Sequence, residues 1–311
     1  MQEKKNKRLA ILLCALCFIT GLVYYFDRPA GTVEVDKDIF KNYDLKDINQ
    51  VVLESRKGKV DLKFNGAKWE VNNQFNADAT MIQVLFATFQ QAEPKRPVAA
   101  SVQDSLNRDL KENGVRVSLI ASGKTELSFY AGGNAQKTQA FFSLDADEPK
   151  SYVVTIPGYR VYVSGIFEAP EKDWRDKLVF AFNWRNFERL ETRFPQTPAD
   201  NFDVGFHENH FTVQGLQKPD TAKLNTFLDD VSLLTVEEYI DLQTSRDTLS
   251  QSAPMMIVTV KDIGKRVYTL QLYRPSGTTQ RIPGLINGAQ WAYFDSRKVQ
   301  NIFKRRTFFG K

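Results

Sequence analysis

The pattern of apolar and polar positions divides the chain into segments of distinct character. From Leu9 to Phe26 the run LAILLCALCFITGLVYYF is apolar on every side, with no charge or proline over 18 residues. At 1.5 Å per residue such a run makes a helix of about 27 Å, close to the hydrocarbon thickness of a bilayer. Past residue 45 the pattern changes to alternation. Residues 47–54 (DINQVVLE) read as a strand, and 60–71 (VDLKFNGAKWEV) as a hairpin turning at Asn65-Gly66. Residues 79–91 then place Met81, Ile82, Leu85, Phe86 and Phe89 at helical spacing behind Asp78, a residue suited to an N-cap.

The same succession returns at an offset of about 136–143 residues. Residues 186–192 (NFERLET) match the first strand, and 202–213 (FDVGFHENHFTV) match the hairpin, bending at Glu208-Asn209. Residues 222–234 match the helix through Leu224, Phe227, Leu228, Val231 and Leu234. Each copy continues through a polar connection into two strands about a glycine-lysine turn. These are 115–120 and 126–130 about Gly123-Lys124, then 255–260 and 266–273 about Gly264-Lys265. Each closes on an aromatic strand and a short helix, at 152–155 with 159–167 and at 291–294 with 296–303.

The expected fold class is α+β: one N-terminal transmembrane helix followed by two tandem repeats, each an antiparallel sheet with helices packed on one face. Tight turns between alternating strands exclude a doubly wound parallel sheet. The expected organisation is a cytoplasmic tail (1–8), a transmembrane helix (9–26), a linker (27–44) and two repeats (45–180 and 181–311).

Charge refines where the chain sits. The sequence pI is about 9.0, but residues 1–28 hold three of the five units of net positive charge. The remainder has no clustered basic field of the kind that phosphate neutralisation requires, so no nucleic-acid partner is expected. Lys4, Lys5, Lys7 and Arg8 precede the apolar run, and Tyr24, Tyr25 and Phe26 end it. This bias predicts a bacterial single-pass inner-membrane protein with a cytoplasmic N-terminus and a periplasmic body. Signal cleavage fits poorly, because a cut after Ala30 puts Arg28 where a small residue belongs. Leu13 and Leu16 likewise stand where lipoprotein processing needs a small residue before Cys14 or Cys17. Those two cysteines are the only ones, so the body offers no thiol nucleophile, and their CxxC spacing falls within the apolar run, away from the accessible, electropositive surroundings a redox pair needs.

Several stretches taken in order resemble the bacterial domain-of-unknown-function family numbered 4340. They are Trp69 and Val71 after the first strand, Ala77-Asp78-Ala79 at the helix start, the hairpin about Gly123, and Trp174-Arg175-Asp176-Lys177. The resemblance covers roughly residues 45–195 and continues more weakly through the second repeat. It implies a membrane anchor with an outer α+β body. Some relatives stand beside, or are fused to, parts of membrane transport systems of the ABC or gliding-motility type, which implies an accessory role. It implies no catalytic residue.

Candidate chemistry is sparse. His207 and His210 are spaced i, i+3 on a hairpin bend, whereas a zinc-protease helix needs i, i+4. Asp145, Asp147 and Glu148 form an acidic loop without the calcium-loop pattern. Gly132-Gly133 reads as a turn. Lys304, Arg305, Arg306 and Lys311 suit a helix C-terminus or docking on anionic lipid. Phe141, Phe142, Tyr159, Tyr162, Phe308 and Phe309, with Lys304, Arg305 and Arg306, are the candidate partner surface, against core packing of the same rings.

No cofactor, metal site or catalytic residue is expected. The expected function is membrane-anchored binding or scaffolding in the envelope, as an accessory of an envelope or ABC-type transport or gliding complex. Its partners would be the inner membrane, through Leu9 to Phe26, and an envelope protein. The alternative is a carboxylate-based hydrolase or a glycan-binding module acting in a groove between the repeats.

Overall fold

Helix α1 (Gln2–Phe26) contains the apolar run, and its described side chains at positions 10–22 are all exposed, Ile11 and Phe18 by 70% and 71%. The computed structural model describes residues 2–26, 35–41, 43–146, 149–207, 210–240, 252–275 and 281–310. Among the described residues no helix is long and apolar enough to cross a membrane, so the expected transmembrane span rests on the sequence.

Among the described residues, nine strands form one sheet. These are β1 (Gln50–Ser55), β2 (Gly58–Phe64), β3 (Trp69–Val71), β4 (Phe75–Asn76), β5 (Glu93–Pro97), β6 (Val115–Ala121), β7 (Lys124–Gly133), β8 (Ala140–Leu144) and β9 (Ser151–Thr155). Eight strands form a second: β10 (Phe187–Arg193), β11 (Phe202–His207), β12 (His210–Val213), β13 (Glu238–Tyr239), β14 (Met256–Asp262), β15 (Val267–Leu272), β16 (Arg281–Ile286) and β17 (Gln290–Asp295). The first sheet is ordered β4-β3-β2-β1-β6-β7-β8-β9-β5 and the second β12-β11-β10-β14-β15-β16-β17-β13. With β4 set aside, strands matched in chain order occupy identical positions in the two sheets. The pairings described are antiparallel, from β6 with β7 to β16 with β17. This is the α+β architecture that alternation and turn spacing predict.

Helix α2 (Ala79–Gln91) has the bounds that the periodicity predicts. Asp78 Oδ1 caps it, accepting from the backbone N–H groups of Thr80 and Met81 at 2.8 and 3.1 Å. The Asn65-Gly66 hairpin and the turn at Gly123 also form where expected, with Gly66 and Gly123 at positive φ.

Several elements escape periodicity. Helix α3 (Ala100–Asn113) stands where a polar connection is expected, because its apolar stripe is only Val102, Leu106 and Leu110. Strand β5 reads EPKRP, and its two prolines mask it as a strand. Residues 159–167 form no full helix. A 3₁₀ turn at Val163–Ile166 takes its place.

Contacts group the chain into two compact units, residues 1–48, 53–56 and 86–168, and residues 49–52, 57–85 and 169–311. In the first, Phe129 and Phe142 pack on each other and each packs on both Phe40 and Phe167, a cluster with ring centroids 4.8–5.8 Å apart. Phe89, near the end of α2, stacks on Phe167. Successive strand residues point to opposite faces, so Phe141, Ser143, Ser151 and Val153 face away from this cluster. Helix α3 covers that second face. Its Asn107 Oδ1 accepts from Ser143 Oγ at 3.0 Å and from Ser151 Oγ, and its Nδ2 donates to the Pro149 carbonyl at 2.7 Å. The expectation of helices on one face therefore needs correction for the first sheet, where the overlooked α3 supplies a second layer.

The second unit includes α4 (Glu171–Trp174), α5 (Thr221–Ser232) and α6 (Ser296–Ile302). Leu224, Phe227, Leu228 and Val231 of α5 and Val299 and Ile302 of α6 join one core with Leu190, Val204, Val258, Leu270 and Phe294 of the sheet. Asp220 and Asp295 cap these two helices.

Candidate functional site

Helix α3 does not cover its face of the first sheet completely. Beside it, where β5, β9 and β8 end the sheet, lies an open groove of about 590 Å³. Val98, Val102, Leu106, Phe141 and Val153 make its apolar walls, with Arg96 and Asp109 as charged lining groups. The polar lock of Asn107 on Ser143 and Ser151 fixes the helix along one side. Phe141 and Val153 are direct cross-strand partners, as are Val153 and Arg96, so three strands present one continuous row to the groove. The outermost strand, β5, has Pro94 and Pro97, which lack N–H groups and so blunt the edge against strand addition. This geometry suits side-chain capture along the groove rather than extension of the sheet.

The expected partner residues divide by burial. Phe142 is 2% exposed and belongs to the ring cluster, so it is a core residue, whereas Phe141 lines the groove. Tyr159 is 66% exposed. Tyr162 folds onto β7, its hydroxyl donating to Glu168 Oε1 at 2.5 Å while Lys137 pairs with Glu168 Oε2 at 2.8 Å. Burial first, and the Glu168 carboxylate second, push the Tyr162 phenol well above its usual range. This packing explains Gly132-Gly133, which lies in β7 and not in a turn. A Cβ on Gly133 would stand 2.3 Å from the Tyr162 ring, and one on Gly132 would stand 2.6 Å from Leu110 of α3.

In the second unit Phe309 is fully buried against Phe202 and Phe227, and its carbonyl accepts from the Asp220 N–H at 2.8 Å. Phe308 is 38% exposed, with the Lys223 and Lys304 ammonium groups 5.3 and 5.2 Å from its ring centroid. Lys304 donates to the Gln300 carbonyl at the end of α6, and Arg305 lies 3.4 Å from Asp200. Arg306 is exposed. Lys311 lies outside the described residues. This end of the chain is therefore docked by its rings, and its cations are partly engaged.

His207 and His210 face each other across the β11–β12 hairpin, whose bend at Glu208-Asn209 lies outside the described residues. Asp145 receives Arg116 in a two-pronged contact at 2.8 and 2.9 Å, and Asp147 and Glu148 lie outside the described residues. Among the described residues no group of three or more His, Cys, Asp or Glu is placed to hold a metal ion. A conspicuous carboxylate pair, Glu191 and Asp203, is bound by Arg189, Arg193 and Lys261. Burial would raise the Asp203 pKa, but hydrogen bonds from Arg193 and Arg189 hold it below the usual carboxylate value. A general acid needs the opposite shift.

Three of the stretches that carry the family resemblance, at Trp69, at Ala77-Asp78-Ala79 and at Trp174-Arg175-Asp176-Lys177, converge in the second unit, whereas the Gly123 hairpin lies in the first. The Ala77 N–H donates to the Trp69 carbonyl at 2.9 Å, the Asp78 N–H to the Trp174 carbonyl at 2.8 Å, and the Asp176 N–H to the Asn76 carbonyl at 2.8 Å. Trp174 is fully buried, its indole N–H donating to the Ala169 carbonyl. The Arg175 guanidinium lies 3.8 Å from the Phe75 ring centroid and 5.3 Å from that of Tyr239, and makes a two-pronged pair with Glu171 at 2.6 and 2.8 Å. The Tyr239 hydroxyl donates to the Asp176 carbonyl at 2.6 Å, and the Val236 N–H to the Lys177 carbonyl at 2.8 Å. These residues form a backbone clasp with a stacked arginine at its centre. Their work is structural, and periodicity gives no sign of it because the partners are distant in sequence.

Comparison with curated proteins finds no match, and comparison with solved structures finds none. The family described as Domain of unknown function (DUF4340) matches residues 69–254. The match begins at Trp69, the first residue of the clasp, takes in its central segment Trp174–Lys177, and runs on through β13 beyond the stretch that the sequence motifs suggest. The chain is a member of the domain-of-unknown-function family DUF4340.

Proposed function

We propose that this protein is a membrane-anchored extracytoplasmic binding or scaffolding protein, working as an accessory of an envelope or transport complex. The open groove beside α3 carries the reading: a preformed trough with apolar walls and with Ser105, Gln139, Arg96 and Asp109 also in its lining, beside a sheet edge blunted against strand addition. Its occupant would be a polypeptide segment of an envelope protein that offers apolar side chains to Phe141, Val102 and Val153. The anchor is supported by the 18-residue apolar run in α1, the exposure of its described side chains and the four preceding cations.

Photo-crosslinking in cells tests the groove. A crosslinker at Val102, which is 49% exposed, should trap the same discrete envelope protein as one at Phe141. A crosslinker at exposed Lys59 of β2 should not. Equal products from all three positions, or none, would refute the groove. Alkaline extraction tests the anchor: the full chain should stay with membranes and a chain lacking residues 1–26 should not.

A further inference from the structure

One end of the eight-stranded sheet presents an exposed apolar tip on an ordered platform. The turn before β10 is tied by four hydrogen bonds. The Asn183 carbonyl accepts from the N–H groups of Asn186 and Phe187, the Asn186 side chain accepts from the Asn183 N–H, and the Asn183 side chain accepts from the Arg185 N–H. Trp184 stands on this turn 65% exposed, although burying an indole contributes strongly to stability wherever a core can take it. The chain's other tryptophans behave otherwise: Trp174 and Trp291 are 0% and 6% exposed, and Trp69 is half-buried.

The Ile263 N–H donates to the Asn186 carbonyl at 2.9 Å, which brings the β14–β15 turn alongside. Ile263 is 63% exposed and Val267, on the same hairpin, 53%. Cations surround these groups. The Arg185 guanidinium lies 5.1 Å from the Trp184 ring centroid, and the Lys265 and Arg266 side chains are 85% and 62% exposed. Their acidic neighbours are Glu188, 3.8 Å from Lys265, and Asp262, which is fully buried beneath Arg266. The exposed layer is thus tryptophan, aliphatic residues and three cations, with the Glu188 side chain, 43% exposed, beside Lys265.

We infer that this tip docks on the interfacial region of an anionic phospholipid bilayer. Trp184 and Ile263 enter the headgroup layer, and Arg185 and Lys265 pair with lipid phosphates. Indole suits that layer because its apolar body and its N–H donor are satisfied at different depths, and flanking cations gain from the surface potential. An exposed indole flanked by Arg185, Lys265 and Arg266 matches the negative surface potential of an anionic leaflet, which commits the tip to lipid. The docking deepens the anchored reading by giving the body its own hold on the lipid surface.

Full-length protein reconstituted in phosphatidylglycerol–phosphatidylcholine vesicles, with lipids brominated near the headgroup, tests this through tryptophan quenching. Wild type should be quenched and should shift its emission to the blue relative to detergent micelles, and Trp184→Phe should lose most of both effects. Replacing phosphatidylglycerol by phosphatidylcholine should weaken the quenching. Equal quenching in wild type and Trp184→Phe would overturn the inference. So would a blue shift in detergent that grows with protein concentration, which would assign the tip to a second copy of the chain. Alkaline extraction of the same vesicles separates the two readings. Retention without Trp184 quenching sinks the docking alone, and release sinks the anchor.

Discussion

At the scale of single residues, neighbouring phenylalanines take opposite roles. Phe142 packs against three other rings while Phe141 faces the groove. Phe142→Ala should therefore cost about 3–5 kcal/mol of stability, the usual range for a buried ring left as a cavity. Phe141→Ala should cost less than about 2 kcal/mol and leave the fold intact, since its area is only partly removed from water. Urea unfolding of the two variants checks this, and equal losses would contradict the assignment of faces. Asp262 supplies a pH signature. Burial would raise its pKa, but the Arg266 N–H and guanidinium hold it below the ordinary 3.8. A carboxylate lowered in the folded state contributes stability that is fully present above its unfolded pKa and lost as pH falls through the folded value. Unfolding midpoints of wild type should thus drop as pH falls below about 3.8, and Asp262→Asn should flatten that part of the profile. An unchanged slope in the variant would show that the turn does not depend on the charge.

At the scale of elements, the α2 N-cap, the Asn65-Gly66 hairpin and the paired glycine-lysine turns are legible because each is set within a few residues. Helix α3 is not. Its positions facing the sheet include Asn107, whose polarity is satisfied by Ser143, Pro149 and Ser151, 36, 42 and 44 residues away. The clasp has the same character, since Arg175 is useful only once Phe75 and Tyr239 flank it. Arg175→Lys keeps the charge but loses the planar stack and the forked pair with Glu171. A loss of about 1–3 kcal/mol is expected, the range for breaking a part-buried hydrogen-bonded charge. Hydrogen exchange should quicken at Asp78, Asp176 and Val236, whose N–H groups close the clasp. Unchanged protection there would show that the backbone bonds hold without the arginine.

At the scale of the whole molecule, the second unit draws on residues 57–85 and 169–180 as well as on everything after 181. A fragment of residues 181–311 lacks the Lys177 and Asp176 carbonyls that hold Val236 and Tyr239. It should unfold with a smaller denaturant slope and a lower midpoint than the second unit of the intact chain. A fragment as stable and cooperative as the intact chain would show that the repeat folds independently at that boundary.

The sequence alone determined the α+β class, the recurrence of one strand and helix order, the apolar run of α1 and the near neutrality of the body. Each of these depends on composition or on spacing within one element, and the period of a strand or helix is a local property of the backbone. Tertiary structure decided which of two adjacent rings is core, where α3 lies, and why Gly132 and Gly133 are glycines. It also gathered Trp69, Asp78 and Trp174 into one clasp and left Trp184 outside. Those outcomes depend on partners tens of residues apart in the chain, brought together only when the sheets form.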